Sequence, residues 1–333
     1  MRTLLTSCGL AITFSTLSVI HYLYFILLVD EGFDYQVCME NYEMGKKLGE
    51  GGFGQVYLAT EKSSGKKVAI KLLSVLDHPL SPHMMNKEIE ALAKLKHRHI
   101  VKLYRWFPFP KKHQIVLVME YLEGGELYQY WQGKDSKRIH EQEAKEIMLQ
   151  LLQAIEHCHE NKIIHRDLKF QNIILAHKPQ VHNENEADDD EGDSPRKGLK
   201  NEFDLELKVV DFGIFGSTSG VNPEKVHAGS LKYMAPEILL GYAQSTPAID
   251  VWSLGIILYG LVIGEVPFRC KTRDDLKAMI IKKDIVFDAS NEKLHSHLSG
   301  ELKDLLKKML TKKPDYRISI AEIFEHPWMA KYK

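Results

Sequence analysis

The sequence predicts an α+β protein in which a small β-rich lobe precedes a larger helical one. Three stretches carry this. Tyr42 to Ile70 alternates β-forming residues with glycine and runs into Lys66-Lys67-Val68-Ala69-Ile70-Lys71, the pattern of consecutive antiparallel strands. Glu141 to Asn161 sets Ile147, Leu151, Ala154, Ile155 and Cys158 on one face of a helix. After Pro236 the pattern stays helical to the end, and Ile249–Leu261 is so nearly all apolar that it must be buried. Strands first and helices afterwards exclude a βαβ alternation.

Between these stretches, Ile89, Leu92 and Leu95 recur at helical spacing, so a helix is expected over Pro82–Leu95. His113–Glu120 reads as a short apolar strand ending before Gly124-Gly125. Asn172–Leu175 and Leu205–Val210 read as two further strands. Residues 176–204 between them are rich in Asp, Glu, Asn and Gly and cannot bury enough apolar surface to offset their ordering entropy. They are expected to form a disordered acidic insert in place of a hairpin turn, which the slow growth of loop-closure entropy allows. Ser194-Pro195 offers a phosphorylation site within it, and the acidic run a docking patch.

Bulk properties mainly exclude. The 333 residues suit one large two-lobed domain or two ordinary ones, and a net charge of -1 gives no field toward nucleic acid. Four scattered cysteines without a CxxC pair argue against a disulfide framework or a zinc site and suit a reducing compartment. The segment 1–41 stands apart. Its residues 8–29 contain no charged side chain and are long enough to span a bilayer, with Arg2 before them and Asp30, Glu31 and Asp34 after. A membrane anchor, a helix docked on the domain and a start foreign to the natural protein are the readings, and a secretory signal is disfavoured by the long apolar core and the lack of a clear small-x-small cleavage site. A cytoplasmic location, with or without that anchor, is the expectation.

The chemistry concentrates in His165-Arg166-Asp167-Leu168-Lys169-Phe170-Gln171-Asn172 and in Asp211-Phe212-Gly213. Phosphoryl transfer needs an acid near the attacking hydroxyl, a cation on the moving phosphate and oxygen ligands for magnesium. Asp167, Lys169, Asn172 and Asp211 supply these in order. Upstream, Gly49, Gly51, Gly54 and Val56 fit GxGxxGxV, a weak signal alone. Its context sharpens it, because Gln55–Ala59 continues as a strand where a dinucleotide-binding turn would open a helix. Bare backbone there can approach phosphates closely.

These motifs together resemble those of eukaryotic protein kinases, from Tyr42 to about Met329. The resemblance implies a kinase domain over 42–329 that moves the γ-phosphoryl of ATP, with Mg2+, to Ser or Thr hydroxyls of protein substrates. It makes Asp167 the catalytic base, with Lys169 neutralising charge and Asn172 and Asp211 as metal ligands. Lys71 would bind the α and β phosphates, held by Glu88. By the same resemblance, Met119 is the gatekeeper and backbone groups of Glu120 and Leu122 meet the adenine edge. Glu126 lies near the ribose, and Val56, Ala69 and Ile174 sandwich the ring. Leu92, Leu103, His165 and Phe212 correspond to stacked side chains of active kinases. Glu237 of Ala235-Pro236-Glu237 is expected to pair with Arg317, and Asp250 to steady the catalytic-loop backbone.

His326-Pro327-Trp328-Met329 and Gly264–Phe268 resemble the calcium/calmodulin-dependent and AMP-activated group, with no calmodulin-binding tail evident before Lys333. Lys169 two positions after the base is similar to serine/threonine kinases, so tyrosine specificity is not expected. Phe170 and Gln171 stand where that family usually has Pro and Glu, and Gly260 where some members have a second acid. A preference for basic residues near the target is therefore in doubt, with Glu126 the main surviving acid. Val226 falls at the activating phosphothreonine position of AMP-activated relatives, and Glu224 would supply a standing charge instead, with Ser217, Thr218 and Ser219 as other sites. A pseudokinase scaffold is the competing function, disfavoured because Lys71, Glu88, Asp167, Asn172 and Asp211 are all present.

Overall fold

The computed structural model describes residues 39–51, 54–74, 89, 92–109, 114–179, 205–212, 228–242, 246–287 and 295–330. The apolar stretch 8–29, Glu88, the acidic run and residues 217–226 lie outside the described residues. The chain forms two compact units. The first holds the strands up to Ser74 and Leu103–Tyr121; the second takes Lys94–Lys102 and everything from Leu122 onward.

The first unit is a five-stranded antiparallel sheet in the order β1-β2-β3-β5-β4. Its strands are β1 (Tyr42–Gly51), β2 (Gly54–Glu61), β3 (Lys67–Ser74), β4 (Leu103–Phe109) and β5 (Gln114–Glu120). β3 is central in the strand order, and both of its faces are packed. One face carries Val68 and Ile70 into a cluster with Tyr42, Ala59, Phe107, Val116 and Val118. The other sends Leu73 against Ile89, Ile115 and Leu117. Ile89 and Leu92–Lys94 are helical, within the span expected for a helix. β4 escapes the periodicity reading because Pro108 interrupts it. As the edge strand of the sheet, β4 tolerates a residue without an N–H.

The second unit is helical around one short hairpin. α1 (Leu127–Gln132) precedes α2 (Glu141–Glu160), and α3 (Ala228–Leu231) and α4 (Pro236–Leu239) follow the hairpin. α5 (Ala248–Ile263), α6 (Arg273–Lys282), α7 (Gly300–Met309) and α8 (Ile320–Glu325) complete it. α2 buries the predicted face, including Ile147, Leu151, Ala154, Ile155 and Cys158. α5 is buried all round from Ile249 and stops at Gly264, whose φ of 93° is left-handed. A Cβ at Gly264 would lie 2.7 Å from the Ser136 carbonyl oxygen, so glycine is required there. The capping box Ser319–Glu322 opens α8.

The hairpin pairs β6 (Ile173–Leu175) antiparallel with β7 (Leu207–Val209), as expected for strands flanking the insert. Its stem is closed by the Ala176 N–H donating to the Glu206 carbonyl at 2.8 Å. Near the C-terminus the Trp328 indole N–H donates to Glu141 at 2.9 Å, and the same carboxylate accepts from the Ser299 backbone and hydroxyl at 2.6 and 2.8 Å. Among the described residues, no helix is long and apolar enough to cross a membrane.

Candidate active site

Each unit carries its own share of the candidate residues. In the first, strand register gathers them. Val56 lies opposite Lys71, which lies opposite Leu117; Ala69 lies opposite Met119. Residues opposite one another share a sheet face, and alternate positions along one strand do too. Val56, Ala69, Lys71 and Met119 therefore project from one face. Lys71 is buried, 7% exposed, and Met119 packs on the Leu73–Leu117 cluster. Glu120 continues β5 opposite Val68.

The glycines of β1 and β2 differ in what they do. Gly54 has φ 132°, and a Cβ on it would sit 2.1 Å from the Leu72 carbonyl oxygen, so the backbone itself demands glycine. A Cβ on Gly49 would meet nothing within 4 Å. Packing therefore does not explain Gly49. Gly51 pairs with Gly54 at the end of the ladder.

In the second unit a buried carboxylate sets the loop that runs from His165 to Asn172. Asp250, at the start of α5, accepts the backbone N–H groups of His165 and Arg166, each at 2.8 Å, and the His159 ring at 2.8 Å. Burial alone would raise its pKa. The His159 hydrogen bond, the fields of His159 and His165 and the Arg166 N–H outweigh it and hold the carboxyl below the usual range. Arg166 is thereby kept at φ 68°, a left-handed conformation that a non-glycine residue adopts only when its surroundings impose it.

The loop then presents Asp167. Its Oδ2 accepts the Lys169 Nζ at 2.6 Å and the Asn172 Nδ2 at 3.0 Å, and Asn172 also donates to the Asp167 carbonyl at 2.8 Å. Lys169 donates further to the Ser230 hydroxyl at 3.1 Å. The hairpin brings Asp211 to this end, because Ile173 pairs with Val209 and the Val210 N–H donates to the Asn172 carbonyl at 2.9 Å. Asp211 is itself left-handed at φ 61°. The His165 and Phe212 rings lie 4.8 Å apart.

Glu126 bridges Ile174, and Gly124 and Gly125 hydrogen-bond to Leu175 on either side. Burial pushes the Glu126 carboxyl up, and the nearby Lys169 ammonium opposes this. Leu122 lies in the same connection, half-buried. The Glu237–Arg317 pair forms as expected, bidentate at 2.7 and 2.9 Å, with both side chains buried.

Two participants were not legible in advance. Ser230 carries no signal beyond its place after Gly229, and His159 reads as an ordinary residue in the last turn of a helix. Phe170 and Gly260 were legible only as separate departures. The Phe170 ring is fully buried and stacks on Trp131 at 4.5 Å; a Cβ on Gly260 would meet that ring at 2.9 Å.

The donors suit a metal that arrives with its ligand. Among the described residues, no group of three or more His, Cys, Asp or Glu could hold a metal alone. Asp211 and Asn172 offer one carboxylate and one amide oxygen, hard donors that fit magnesium when phosphate oxygens complete its shell.

Comparison with known proteins agrees with this architecture. A family model described as protein kinase domain matches residues 42–329. The chain is similar to a carbon catabolite-derepressing protein kinase of Secale cereale, 35% identical over 90% of this chain and 53% of that protein. It is similar to a SNF1-related protein kinase catalytic subunit alpha, KIN12, of Arabidopsis thaliana, 34% identical over 87% of this chain and 51% of that protein. It is also similar to Aurora kinase B of Mus musculus, 33% identical over 87% of this chain and 74% of that protein. The chain spans about half the length of the first of these relatives. The sheet, the anchored loop and these matches place the chain in the protein kinase family.

Proposed function

We propose that the protein transfers the γ-phosphoryl group of MgATP to serine or threonine hydroxyls of protein substrates. The observation that carries this is the Asp167 carboxylate, oriented by Asn172 and Lys169 in a loop whose backbone is tied to Asp250. The names of the relatives, serine/threonine kinases among them, support the acceptor class.

In this reading the substrate hydroxyl oxygen attacks the γ-phosphorus, and its proton passes to Asp167. The bond from the γ-phosphorus to the bridging oxygen breaks, and that oxygen leaves on ADP. Lys169, hydrogen-bonded to both Asp167 and Ser230, offsets charge on the moving group and lies beside the acceptor. Asn172 spends its amide N–H groups on Asp167, which leaves its oxygen for the metal. Asp211 contributes the carboxylate. Magnesium, when bound, draws charge from the phosphate oxygens.

Lys71 binds the α and β phosphates from the face it shares with Val56, Ala69 and Met119. Glu88 is its proposed ion-pair partner. Gly49, Gly51 and Gly54 bring backbone N–H groups to the phosphates. Val56, Ala69 and Ile174 contact the adenine, backbone groups of Glu120 and Leu122 bind its edge, and Glu126 binds the ribose.

The test is transfer of labelled γ-phosphate from MgATP to a mixed peptide library, followed by identification of the modified residue. Label on Ser and Thr, absent with Asp211→Ala, is the expected outcome. Label on Tyr overturns the acceptor class, and no label overturns catalysis in favour of a binding scaffold.

A further inference from the structure

Phe170, Gln171 and Asn172 form one 3-10 turn directly after the Asp167–Lys169 pair. A turn this short has poor hydrogen-bond geometry and does not hold itself. No side-chain hydrogen bond caps its start at Lys169, and the Asn172 N–H donates to the Lys169 carbonyl at 3.0 Å. The last residue of the turn reaches the chemistry, because the Asn172 amide donates to the carbonyl and to the carboxylate of Asp167. Whatever fixes this turn therefore fixes the direction of the Asp167 oxygens.

Phe170 fixes it. The residue is 0% exposed, and its ring lies in a slot with three walls. Trp131, near the end of α1, stacks on it with centroids 4.5 Å apart and planes 3° from parallel. Tyr233 meets it edge-on at 6.3 Å, and a hydrogen bond joins the Tyr233 hydroxyl to the Phe170 backbone. Gly260 of α5 is the third wall, where a Cβ would lie 2.9 Å from the ring. The walls are tied down from behind. Ser253 of α5 donates to the Tyr233 carbonyl at 2.9 Å, and the Tyr233 N–H donates to the Ser230 carbonyl at 3.1 Å. Beside Trp131, the Tyr130 hydroxyl donates to Glu143 of α2 at 2.5 Å.

Trp131 is kept in this slot at a cost. It is 5% exposed, and its Nε1–H is buried with no hydrogen-bond partner among the described residues. A buried donor without an acceptor destabilises, and a phenylalanine would bury an aromatic face without that penalty. What the indole adds is area over the Phe170 ring, in the stacked arrangement that aromatic pairs favour.

We infer that Phe170 and Trp131 are positioning residues for phosphoryl transfer: their stack holds the turn from which Asn172 aims the Asp167 carboxylate. The inference rests on the kinase function proposed above. A slot that served packing alone would show in stability and leave the rate per folded molecule untouched. One that aims a reacting group shows in the rate, because small misplacements of such a group are expensive.

The test uses the full chain, MgATP and a Ser/Thr peptide that the wild type phosphorylates, with rates normalised to the folded fraction. Phe170→Leu and Trp131→Leu should each lower kcat about tenfold, with KM for MgATP and for peptide within about twofold of the wild type. Trp131→Phe keeps an aromatic face on Phe170 and should hold kcat within about twofold. The double leucine variant should lose no more than about tenfold, since both changes break one contact. Unchanged kcat in both leucine variants overturns the inference while the kinase function stands, because label is still transferred. Additive losses in the double variant, or an equal loss in Trp131→Phe, overturn it as well. If one leucine variant does not fold, the other and Trp131→Phe decide; if neither folds, the stack carries the fold and the inference fails. Transfer to no peptide by the wild type removes the kinase function and the inference together.

Discussion

Among the carboxylate–cation pairs of the second unit, Glu237–Arg317 and Asp167–Lys169 are built from similar groups yet held in contrasting ways. In the strut, Arg317 donates to both oxygens of Glu237 and to the carbonyls of Ala248, Thr311 and Lys312, and its side chain is 0% exposed. In the loop, Lys169 meets Asp167 and Ser230 while its side chain remains 20% exposed. A planar guanidinium with every donor spent is held in one geometry and has nothing to offer a ligand. An ammonium reachable from solvent can exchange partners as charge moves. Saturation marks the structural pair, and accessibility the pair to which we assign the proposed chemistry.

The largest effect should come from the loop. Asp167→Asn is expected to lower the phosphoryl-transfer rate by about 10²–10⁴. Its thermal midpoint should stay close to that of the wild type. A variant that keeps its rate would remove Asp167 from the chemistry and erase the contrast. The strut should respond in the opposite way. Arg317→Leu strands Glu237 in a buried site and is expected to cost about 3–5 kcal/mol in urea unfolding. The rate per folded molecule should hold. Loss of rate without loss of stability would make the strut a functional element.

A third measurement extends the contrast to a buried neutral group. His99 contacts the Leu207 carbonyl at 2.9 Å through Nδ1. Burial, with the fields of Arg98, His97 and Lys208, pulls its pKa from 6.5 to about 4, against the opposing carbonyl contact. The folded value lies below the unfolded one, so this stabilisation is complete above about 6.5 and drains as pH falls toward about 4. Linkage makes it worth on the order of 3 kcal/mol, and His99→Gln should flatten the acid limb of stability against pH. An unchanged limb would place the acid sensitivity elsewhere. The smallest effect belongs to a cap. Ser319→Ala removes one side of the α8 capping box and should cost about 1 kcal/mol. A much larger loss would mean that α8 supports the strut, since Arg317 lies just before it.

What the sequence disclosed follows from distance along the chain. Asp167, Lys169 and Asn172 fall within six residues, so a local pattern contains the geometry. Val56, Ala69 and Lys71 were placed together by the family resemblance, and the strand register puts them on one face. β4 was not legible, since Pro108 breaks the alternation and only its edge position makes that harmless. His159 and Ser230 were missed for a different reason. Their residue types are ordinary, and only the folded chain brings them to Asp250 and Lys169.

Phe170 and Gly260 carry a consequence for how such a sequence could arise. With any Cβ at position 260 the ring has no room, and with the ring present a Cβ cannot return without collision. Substitution at either site alone is therefore judged by the state of the other, and the order of steps is constrained. As the ring stands, a side chain at 260 and the aromatic at 170 exclude each other, so the two positions are tolerated as a pair and not singly.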